Sequence, residues 1–532
     1  MRPSRRDLLL LTAGCAVLYG LRLGARDLWN PNEPIYGEAV REMAERADWL
    51  VPHVNGLVFA EKPILFFWLA LLASKVMGGV SEASLRVPSF LAGVATVLGA
   101  YVLALPYAGR ARAFASSVAV ATMFGVFWNA RCVQMDILVT AATLWVIVAV
   151  TRVVDHDAPP LRGFVLAGAV AGFGFLAKGP VAWICPGLTI VVYLLATRRL
   201  YAIVRWETCA GIATCVGVAA PWFVMLALSG HSAVISEVLF RQNLARFVNP
   251  WDHQAPFWYY LESCWVDMGP WALFVPLAIG LPRRDEGERR LALLSSIWVI
   301  AVIVFFSLSK SKRSPYILPI APAVAILAAE VALSFTAGRL RGARNALFVG
   351  LTLILSVGFV GAGVVVFVGA STRLDEPTAS AVAFLGLVAS FVGAWVLFDL
   401  SRKRKRAGAA VSLAAAAAAI YLAAAAVTLP ALDVYKSARH FCADVSRLVR
   451  PGDEVASYAF WNWRAEYRYY LRMPITNLLG AEPLREAWNG TRRVVLLVEA
   501  ERIADARQVI GDASPAIEGR VGGGSVYVFT NR

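Results

Sequence analysis

Charged residues are scarce in this chain. Aspartate, glutamate, lysine and arginine make up 16% of its 532 residues, whereas soluble domains carry roughly 25%. This scarcity excludes an ordinary soluble protein. Hydrophobic residues account for 58% of the chain and the mean hydropathy is +0.61. The composition is therefore that of an integral membrane protein.

Cysteine and histidine are also rare, with seven and five copies. Six cysteines lie in or beside apolar segments and Cys442 stands alone, so we expect free thiols and no disulfide framework. A glycine-rich phosphate loop and a dinucleotide fingerprint are both missing from the sequence. We therefore expect no nucleotide cofactor and no nucleotide-sugar donor.

Apolar runs of about 20 residues recur along the chain, which is the length that crosses a bilayer as a helix. The net charge of +15 comes from short basic clusters between these runs, as in cytoplasmic loops, so we expect no nucleic-acid partner. The pattern predicts an α-helical polytopic protein with about 13 transmembrane helices and a cytoplasmic N-terminus. The segment 265–281 is counted as a span. The segment 64–77 is too short for one and suits an interfacial or re-entrant helix.

The last hundred or so residues change in character. We predict a transmembrane domain at 1–432, which includes a first outer loop at 26–85, and a small periplasmic α/β domain at 433–532. The predicted helices of the small domain are Ser437–Val449 and Arg502–Ile510, and its predicted strands are Glu454–Tyr458, Arg493–Val498 and Ser525–Thr530.

Several charged residues fall on the outer side of this topology, against the usual bias of basic residues toward the cytoplasm. Lysines and arginines there can bind a lipid phosphate, although simple anchoring among lipid headgroups explains them as well. Asp136 is a helix N-cap, the partner of Arg131 in a charge pair, or an acid that faces the bound phosphate. These residues alone indicate a polytopic membrane protein with a polar outer site that suits a phosphate.

Longer motifs carry a resemblance to a known family. The sequence resembles the GT-C membrane glycosyltransferases, in particular the group of the lipid A aminoarabinose transferase and the protein mannosyltransferases. The combination of motifs and their order, over about residues 5–335, is more specific than any one motif. The matching stretches are Trp29–Glu38, Trp49–Pro63, Arg131–Asp136, Ala177–Pro180, Asn243–Phe247, His253–Tyr260 and Phe306–Pro319.

The resemblance implies a site residue by residue. It places acids or their equivalents at Asn32, Glu33 and Asp136 as the catalytic residues. It implies a divalent metal (zinc, magnesium or manganese) or a structural polar pair at Glu61 and His253. The residues implied to bind the carrier phosphate are Tyr36, Lys62, Lys178, Arg246, Lys312 and Tyr316.

Two positions depart from the family pattern. The family's first-loop acid is usually aspartate, but this chain has Asn32, and an amide is no general base at neutral pH. Glu33 or Asp136 takes over that role, or the acceptor is an ionised phosphate that needs no base. An inactive paralogue and an engineered substitution are the other two interpretations. Phe59 stands where an aromatic hydroxyl is common, which removes one phosphate donor.

The resemblance implies an inverting transferase that moves a sugar from a polyprenyl phosphate carrier to an acceptor. The high alanine, arginine and glycine content suggests a bacterial source, which favours a carrier of the undecaprenyl type. Lipid A, another glycan and a protein all remain open as acceptors. The expected setting is a monomer in the bacterial inner membrane, with its active site on the periplasmic side. The alternatives are a transporter for a lipid-linked sugar and a catalytically silent lipid-binding paralogue. Transporters tend to place polar groups at mid-membrane on broken helices, whereas here they crowd the outer boundary.

Overall fold

The computed structural model describes residues 3–248, 252–373, 376–401 and 406–532. Most of these residues are helical. Contacts between residues divide the chain into two compact units. The first unit contains residues 1–23, 60–69 and 86–428, and the second contains 24–59, 70–85 and 429–532.

This division differs from the predicted domains. The second unit combines residues 24–59 of the first outer loop with residues 429–532, which we call the C-terminal domain. The predicted grouping assigned that loop to the transmembrane domain. The predicted boundary at 433 remains a prediction.

The first unit is built from helices. Two helices, Leu65–Val76 and Glu82–Ala121, belong partly to each unit, and Glu82–Ala121 is interrupted at Gly109, where the backbone is not helical. The α-helices of the first unit are Arg5–Gly20, Phe124–Ala130, Asp136–His156, Pro160–Lys178, Val181–Ala196, Trp206–Leu228, Ser232–Ser236, Arg246–Val248, Tyr259–Asp267, Glu286–Leu308, Ala321–Thr336, Gly342–Arg373, Glu376–Ser401 and Arg406–Ala423. Its 3-10 helices are Leu200–Ile203, Trp271–Ala278 and Ser314–Ile320, and its π-helices are Glu237–Ala245 and Ala424–Thr428.

Many of these helices have the length and composition of membrane spans. Within the described ranges, eight helical segments are long and apolar enough to cross a membrane. Shorter apolar helices occupy Leu65–Val76, Val181–Ala196 and Gly342–Gly358. The predicted helical, polytopic fold class is confirmed, whereas the count of about 13 spans remains a prediction. The segment predicted as too short to span is a helix of 12 residues, Leu65–Val76.

The segment 265–281 differs from its predicted regular span. The α-helix Tyr259–Asp267 ends near the start of this segment, and a 3-10 helix, Trp271–Ala278, follows. Proline accounts for the break, because a prolyl ring donates no backbone hydrogen bond and clashes with the preceding helical turn. Pro270 precedes the 3-10 helix and Pro276 lies inside it.

Glycines let two of the long helices approach closely. Gly168 in Pro160–Lys178 faces Gly211 in Trp206–Leu228, and a Cβ at Gly168 would lie 1.9 Å from the Gly211 carbonyl oxygen. A Cβ at Gly211 would lie 2.6 Å from the backbone oxygen of Phe164. Small residues are what allow such backbone contact between membrane helices.

The second unit contains two sheets. The hairpin of β1 (His53–Val54) and β2 (Leu57–Val58) is antiparallel. A five-stranded sheet has the order β4-β3-β5-β7-β6, in which β3 is parallel to β4 and β5 while β7 is antiparallel to β5 and β6. Its strands are β3 (Glu454–Tyr458), β4 (Thr476–Leu478), β5 (Val494–Glu499), β6 (Ile517–Val521) and β7 (Gly524–Thr530). The helical elements of this unit are Asn32–Arg46, Leu429–Ala431, Asp433–Lys436, Arg439–Leu448, Glu466–Leu471, Ala481–Asn489, Ala500–Arg502 and Ile503–Ile510.

Both faces of the five-stranded sheet are buried. Along β5, Val495 and Leu497 join one apolar cluster with helix residue Phe441, while Leu496 joins a second cluster with Leu484. The two clusters lie on opposite faces because successive strand residues point to opposite sides. This explains why β5 reads as a continuous apolar run rather than an alternating one.

The glycine contact leads to a stability prediction. We expect Gly211→Ala to lower the free energy of unfolding by about 1–3 kcal/mol, because the new methyl group meets an immobile backbone oxygen. Gly217→Ala is the matched control, since it lies in the same helix and a Cβ there meets nothing within 4 Å. The measurement is denaturant unfolding of both variants in detergent. Equal stability of the two variants would contradict the packing role of Gly211.

Candidate active site

A cavity of about 370 Å³ lies in the first unit. Five of the predicted site residues line it, although they come from four separate parts of the sequence. These residues are Glu61, Lys62, Asp136, Lys178 and Tyr316. The structure therefore brings together one predicted catalytic acid, three predicted phosphate ligands and one predicted metal ligand.

An ion pair joins two helix ends at this cavity. Lys178 Nζ donates a hydrogen bond to Asp136 Oδ1, and both side chains are largely buried. Asp136 is the first residue of the helix Asp136–His156, and Lys178 is the last residue of Pro160–Lys178. Each charge is favoured where it stands, because a helix N-terminus stabilises an anion and a C-terminus stabilises a cation.

The turn after Lys178 needs glycine. Gly179 ends the helix with φ at +84°, a backbone conformation that residues with a side chain rarely adopt. Its N–H donates to the Phe175 carbonyl at 2.7 Å. A Cβ at this position would lie 3.1 Å from Asn243 Nδ2. The glycine thus lets Asn243, which also lines the cavity, approach the lysine-bearing turn.

Tyr316 lies beside the lysine. Its ring centroid is 4.6 Å from Lys178 Nζ, which is a cation–π contact. Tyr316 belongs to the 3-10 helix Ser314–Ile320, and its ring packs against Phe306 at 5.7 Å. Lys178 therefore has an acid on one side and an aromatic ring on another, which fixes its ammonium group at the cavity wall.

The rest of the lining is largely apolar. Aliphatic and aromatic side chains share the cavity wall with the two lysines and the two acids. Such a cavity suits an amphiphile with a charged head and a hydrocarbon chain. Its apolar lining residues include Val139, Ile184, Leu239, Phe247, Phe305 and Pro319.

Two predicted phosphate ligands have other positions. Lys312 is not one of the described residues that line the cavity. Its side chain is buried, and its ammonium group donates to the Ser309 carbonyl, which is a contact within its own loop. Burial lowers the pKa of Lys312. The side chain of Arg246 lies outside the described residues. A phosphate-binding role for either residue remains a prediction.

The predicted metal ligands do not form a full ligand set in the structure. Glu61 lines the cavity, whereas the His253 ring lies 3.8 Å from Asp252 and its carbonyl accepts the Lys312 N–H at 2.9 Å. The described part of the chain contains no group of three or more His, Cys, Asp and Glu side chains placed to hold a metal. Typical catalytic zinc sites use three protein ligands. The metal remains a prediction, and no step of the mechanism depends on it.

Three predicted site residues, Asn32, Glu33 and Tyr36, belong to the second unit and lie on one helix. Asn32 begins the helix Asn32–Arg46, and Glu33 follows as a buried acid. Glu33 Oε2 lies 2.8 Å from Arg26 Nη2 and accepts the Trp29 N–H at 3.1 Å. Tyr36 is buried, and its ring contacts Phe59 edge-on at 6.3 Å. These two contacts hold the Glu33 carboxylate in place. The catalytic roles of Asn32 and Glu33 and the phosphate-binding role of Tyr36 remain predictions.

A further acid of this helix joins it to the C-terminal domain. Glu38 is fully buried and pairs with Arg41 at 2.5 Å and with Arg468 at 3.2 Å. Burial raises the pKa of Glu38 to about 7, although the hydrogen bond from Arg41 lowers it. Glu38 therefore contributes to the packing of this helix against Arg468 of the helix Glu466–Leu471.

Sequence reasoning missed several polar residues of the cavity. Gln242, Ser309 and Ser311 line it beside the predicted residues. The Ser311 hydroxyl is buried and has no hydrogen-bond partner among the described residues. The serine-rich run between two apolar segments was the available signal, but the lysines within it drew the prediction to Lys312.

Structural comparison defines the class of protein. The crystal structure of ArnT from Cupriavidus metallidurans bound to undecaprenyl phosphate matches with a TM-score of 0.80 at 21% identity, over 100% of this chain and 99% of that one. The apo oligosaccharyltransferase of Archaeoglobus fulgidus matches with a TM-score of 0.52 at 12% identity, over 93% and 69%. The chain is a multi-pass membrane protein with the GT-C fold. A family model for dolichyl-phosphate-mannose-protein mannosyltransferase matches residues 61–225.

Sequence comparison then shows the family. The undecaprenyl phosphate-alpha-4-amino-4-deoxy-L-arabinose arabinosyl transferase of Pectobacterium carotovorum is 30% identical over 407 residues, which is 74% of this chain and 70% of that protein. The chain belongs to the family of these arabinosyl transferases, which confirms the resemblance read from the sequence. The Aeromonas hydrophila relative is 32% identical over 321 residues, so the match covers 59% of this chain and 57% of that relative.

The ion pair at the cavity leads to a prediction on stability. We expect Asp136→Asn and Lys178→Met each to lower the free energy of unfolding by about 1–3 kcal/mol, because each leaves a buried charge without its partner. The double variant should lose less than the sum of the two. The control is the exposed pair Asp444 and Arg447, whose coupling should be about 0–1 kcal/mol. Strictly additive losses at Asp136 and Lys178, measured by denaturant unfolding, would disprove the coupling.

Proposed function

We propose that the protein is an inverting glycosyltransferase that moves a sugar from a polyprenyl phosphate carrier to an acceptor. The carrier is undecaprenyl phosphate, and the first donor to test is the 4-amino-4-deoxy-L-arabinose conjugate, because the Pectobacterium carotovorum relative is named for this carrier and this sugar. The single observation that carries the proposal is the cavity, in which two lysines and a tyrosine meet an apolar wall.

The cavity chemistry fits this donor. A polyprenyl phosphate sugar has an anionic phosphate between a sugar and a long hydrocarbon chain. Lys62, Lys178 and Tyr316 offer positive charge and a hydroxyl donor to the phosphate. The apolar side chains offer a surface for the first isoprenyl units.

The reaction makes one bond and breaks one. An acceptor oxygen attacks the anomeric carbon of the sugar from the face opposite the phosphate, which inverts that centre. The bond between this carbon and the phosphate oxygen breaks, and its electron pair leaves with the carrier phosphate. Lys62, Lys178 and Tyr316 stabilise the negative charge that develops on the leaving oxygen. The acceptor proton goes to Asp136 or Glu33, unless the attacking oxygen is already anionic.

The setting of the reaction is part of the proposal. Basic clusters between the apolar runs support a cytoplasmic N-terminus in the bacterial inner membrane. The cavity and the C-terminal domain are then on the periplasmic side, and the protein acts as a monomer. The acceptor is membrane-associated, and lipid A is the first candidate because the resemblance includes the lipid A aminoarabinose transferase.

A transfer assay tests the proposal. Purified protein is given a synthetic short-chain polyprenyl phosphate aminoarabinose and lipid A, and released carrier phosphate is measured. We expect turnover by the parent protein and a loss of about 10²–10³-fold in Lys62→Ala, because a charge-stabilising group is removed. Asp136→Ala should lose about 10²–10⁴-fold if this acid accepts the proton. Arg447→Ala, which removes an exposed cation, should keep parent activity.

Two results would contradict the proposal. Release of carrier phosphate only by Asn32→Asp, and not by the parent, would identify a disabled member of the family. Silence of both proteins, with carrier binding that is lost in Lys62→Ala, would identify a lipid-binding protein without transferase activity.

Metal dependence is a separate prediction. If Glu61 and His253 hold a divalent ion, chelation should abolish transfer and Glu61→Gln should weaken the restoration of activity by added zinc, magnesium or manganese. The measurement is the metal content of dialysed parent and variant protein together with the rate before and after metal addition. Full activity of metal-free protein would remove the metal from the mechanism.

A further inference from the structure

The C-terminal domain contacts a short stretch of the first loop, Asp27–Asn30, which we call the tethered segment. Asp433 accepts two hydrogen bonds from it. The Asp27 N–H donates to Asp433 Oδ2 at 2.9 Å, and Trp29 Nε1 donates to Asp433 Oδ1 at 2.6 Å. A single carboxylate therefore fixes both the backbone and an indole ring of this segment.

The other two residues of the segment are held in the same way. The Leu28 N–H donates to the Tyr470 hydroxyl at 2.8 Å. Asn30 Nδ2 donates to Glu466 Oε1 at 2.7 Å. Four successive residues of the first loop thus each donate to a side chain of the C-terminal domain. Such a regular set of contacts fixes a backbone path rather than merely covering a surface.

These acceptors are buried. Asp433 is 6% exposed and Glu466 is 2% exposed. Hydrogen bonds to buried charged groups are stronger than ordinary ones, and loss of one partner leaves a desolvated charge. Arg439 adds an ion pair to Asp27 at 2.7 Å and stacks over the Tyr470 ring at 5.0 Å. Glu466 also accepts from Arg464, and Arg439 also pairs with Glu82, so the groups that hold the tethered segment belong to a wider network of ion pairs.

The tethered segment in turn holds Glu33. The Trp29 N–H donates to Glu33 Oε2, and Arg26, which precedes the segment, pairs with the same oxygen. The helix that carries Asn32 and Glu33 begins two residues after Asn30. A shift of the segment therefore moves the Glu33 carboxylate, because its two partners belong to or adjoin that segment.

The topology of the sheet supports this role. Strand β3 has its parallel neighbours β4 and β5 on opposite sides, so the chain order reverses at β3. Ligands of open α/β sheets bind beyond the carboxyl ends of the strands at such a point. Here the segment just after β3 accepts first-loop contacts, since Asn55 Nδ2 donates to the Asn462 carbonyl at 2.9 Å and to the Arg464 carbonyl at 3.3 Å. The first loop occupies the edge where such a sheet usually binds its ligand.

We propose that the C-terminal domain positions the part of the first loop that carries Asn32 and Glu33, and that Asp433 is the positioning residue through which it holds Glu33. The proposal rests on the proposed function, since it assigns the C-terminal domain to that reaction. The proposal goes beyond the proposed function, because the C-terminal domain then holds a catalytic residue in position rather than only covering the helices. Asp433 itself touches neither donor nor acceptor in this proposal.

Two variants test the positioning role. Asp433→Asn keeps the size of the side chain but turns one acceptor oxygen into an N–H donor that faces another donor. Tyr470→Phe keeps the ring and removes only the hydroxyl that accepts from Leu28, so it should fold even if the first variant does not. Asp444→Asn is the control, because Asp444 is an exposed acid in the helix Arg439–Leu448 of the same domain.

The readouts are hydrogen exchange of residues 24–36 in detergent-solubilised protein and the separate values of kcat and KM. We expect exchange of this peptide to become at least about tenfold faster in both variants, since a hydrogen bond worth about 1.4 kcal/mol changes an opening equilibrium tenfold. The kcat should fall about 10–100-fold in Asp433→Asn, with KM for the donor changed less than about threefold, as for a misplaced catalytic group. The control should match the parent in both readouts.

Each other outcome has one meaning. Unchanged exchange in both variants would overturn the tether, and faster exchange with unchanged kcat would overturn its link to catalysis. A rise in KM alone would make Asp433 a donor-binding residue instead. An inactive parent would refute the proposed function but would leave the exchange result to decide whether the domain holds the loop.

Discussion

The structure depends on the pairing of buried charge. A charge taken out of water is costly unless a partner of opposite sign lies beside it, and the helix Asp136–His156 meets this constraint at both ends. Asp136 pairs with Lys178 at the cavity, and about 28 Å along the helix Asp155 pairs with Arg199 at 2.5 Å. The two pairs join this helix to its neighbours, so the acid that lines the cavity is part of the packing of the bundle.

Much of the secondary structure can be predicted from local sequence patterns, where the hydrophobic pattern of a single element is clear. The strands β3, β5 and β7 are predicted to within one residue at each end. The signal is clearest in β5, a continuous apolar run, because a strand buried on both faces is apolar at nearly every position. β4, with three residues, and β6, with alternate exposure, carry weaker signals and were missed. The regular span predicted at 265–281 failed for a different reason, since hydropathy does not register the two prolines that break its hydrogen bonding.

The sequence motifs identified residues of the cavity but did not show that these residues lie together in the fold. Lys62, Asp136, Lys178 and Tyr316 were chosen from separate motifs, and the structure places all four on one cavity. The ion pair between Asp136 and Lys178 could be found only in the tertiary structure, because no local sequence rule connects positions that are 42 residues apart. Ser311 was missed for the same reason. A serine gains meaning at a cavity only when its hydroxyl is seen to be buried without a partner.

Asn32 stands where the family resemblance implies an aspartate, and this bears on the choice of acceptor in the proposed reaction. Both predicted catalytic acids are paired with cations, Glu33 with Arg26 and Asp136 with Lys178. An acid in an ion pair must give up that interaction when it takes up a proton, which makes it a poor general base. An acceptor oxygen that is already anionic at neutral pH, such as that of a phosphate, removes the need for a base altogether. It would be attracted to the cationic lining instead. For the reaction proposed above, this pairing pattern supports a phosphate acceptor rather than a hydroxyl, and with such an acceptor an amide at position 32 would cost the reaction little.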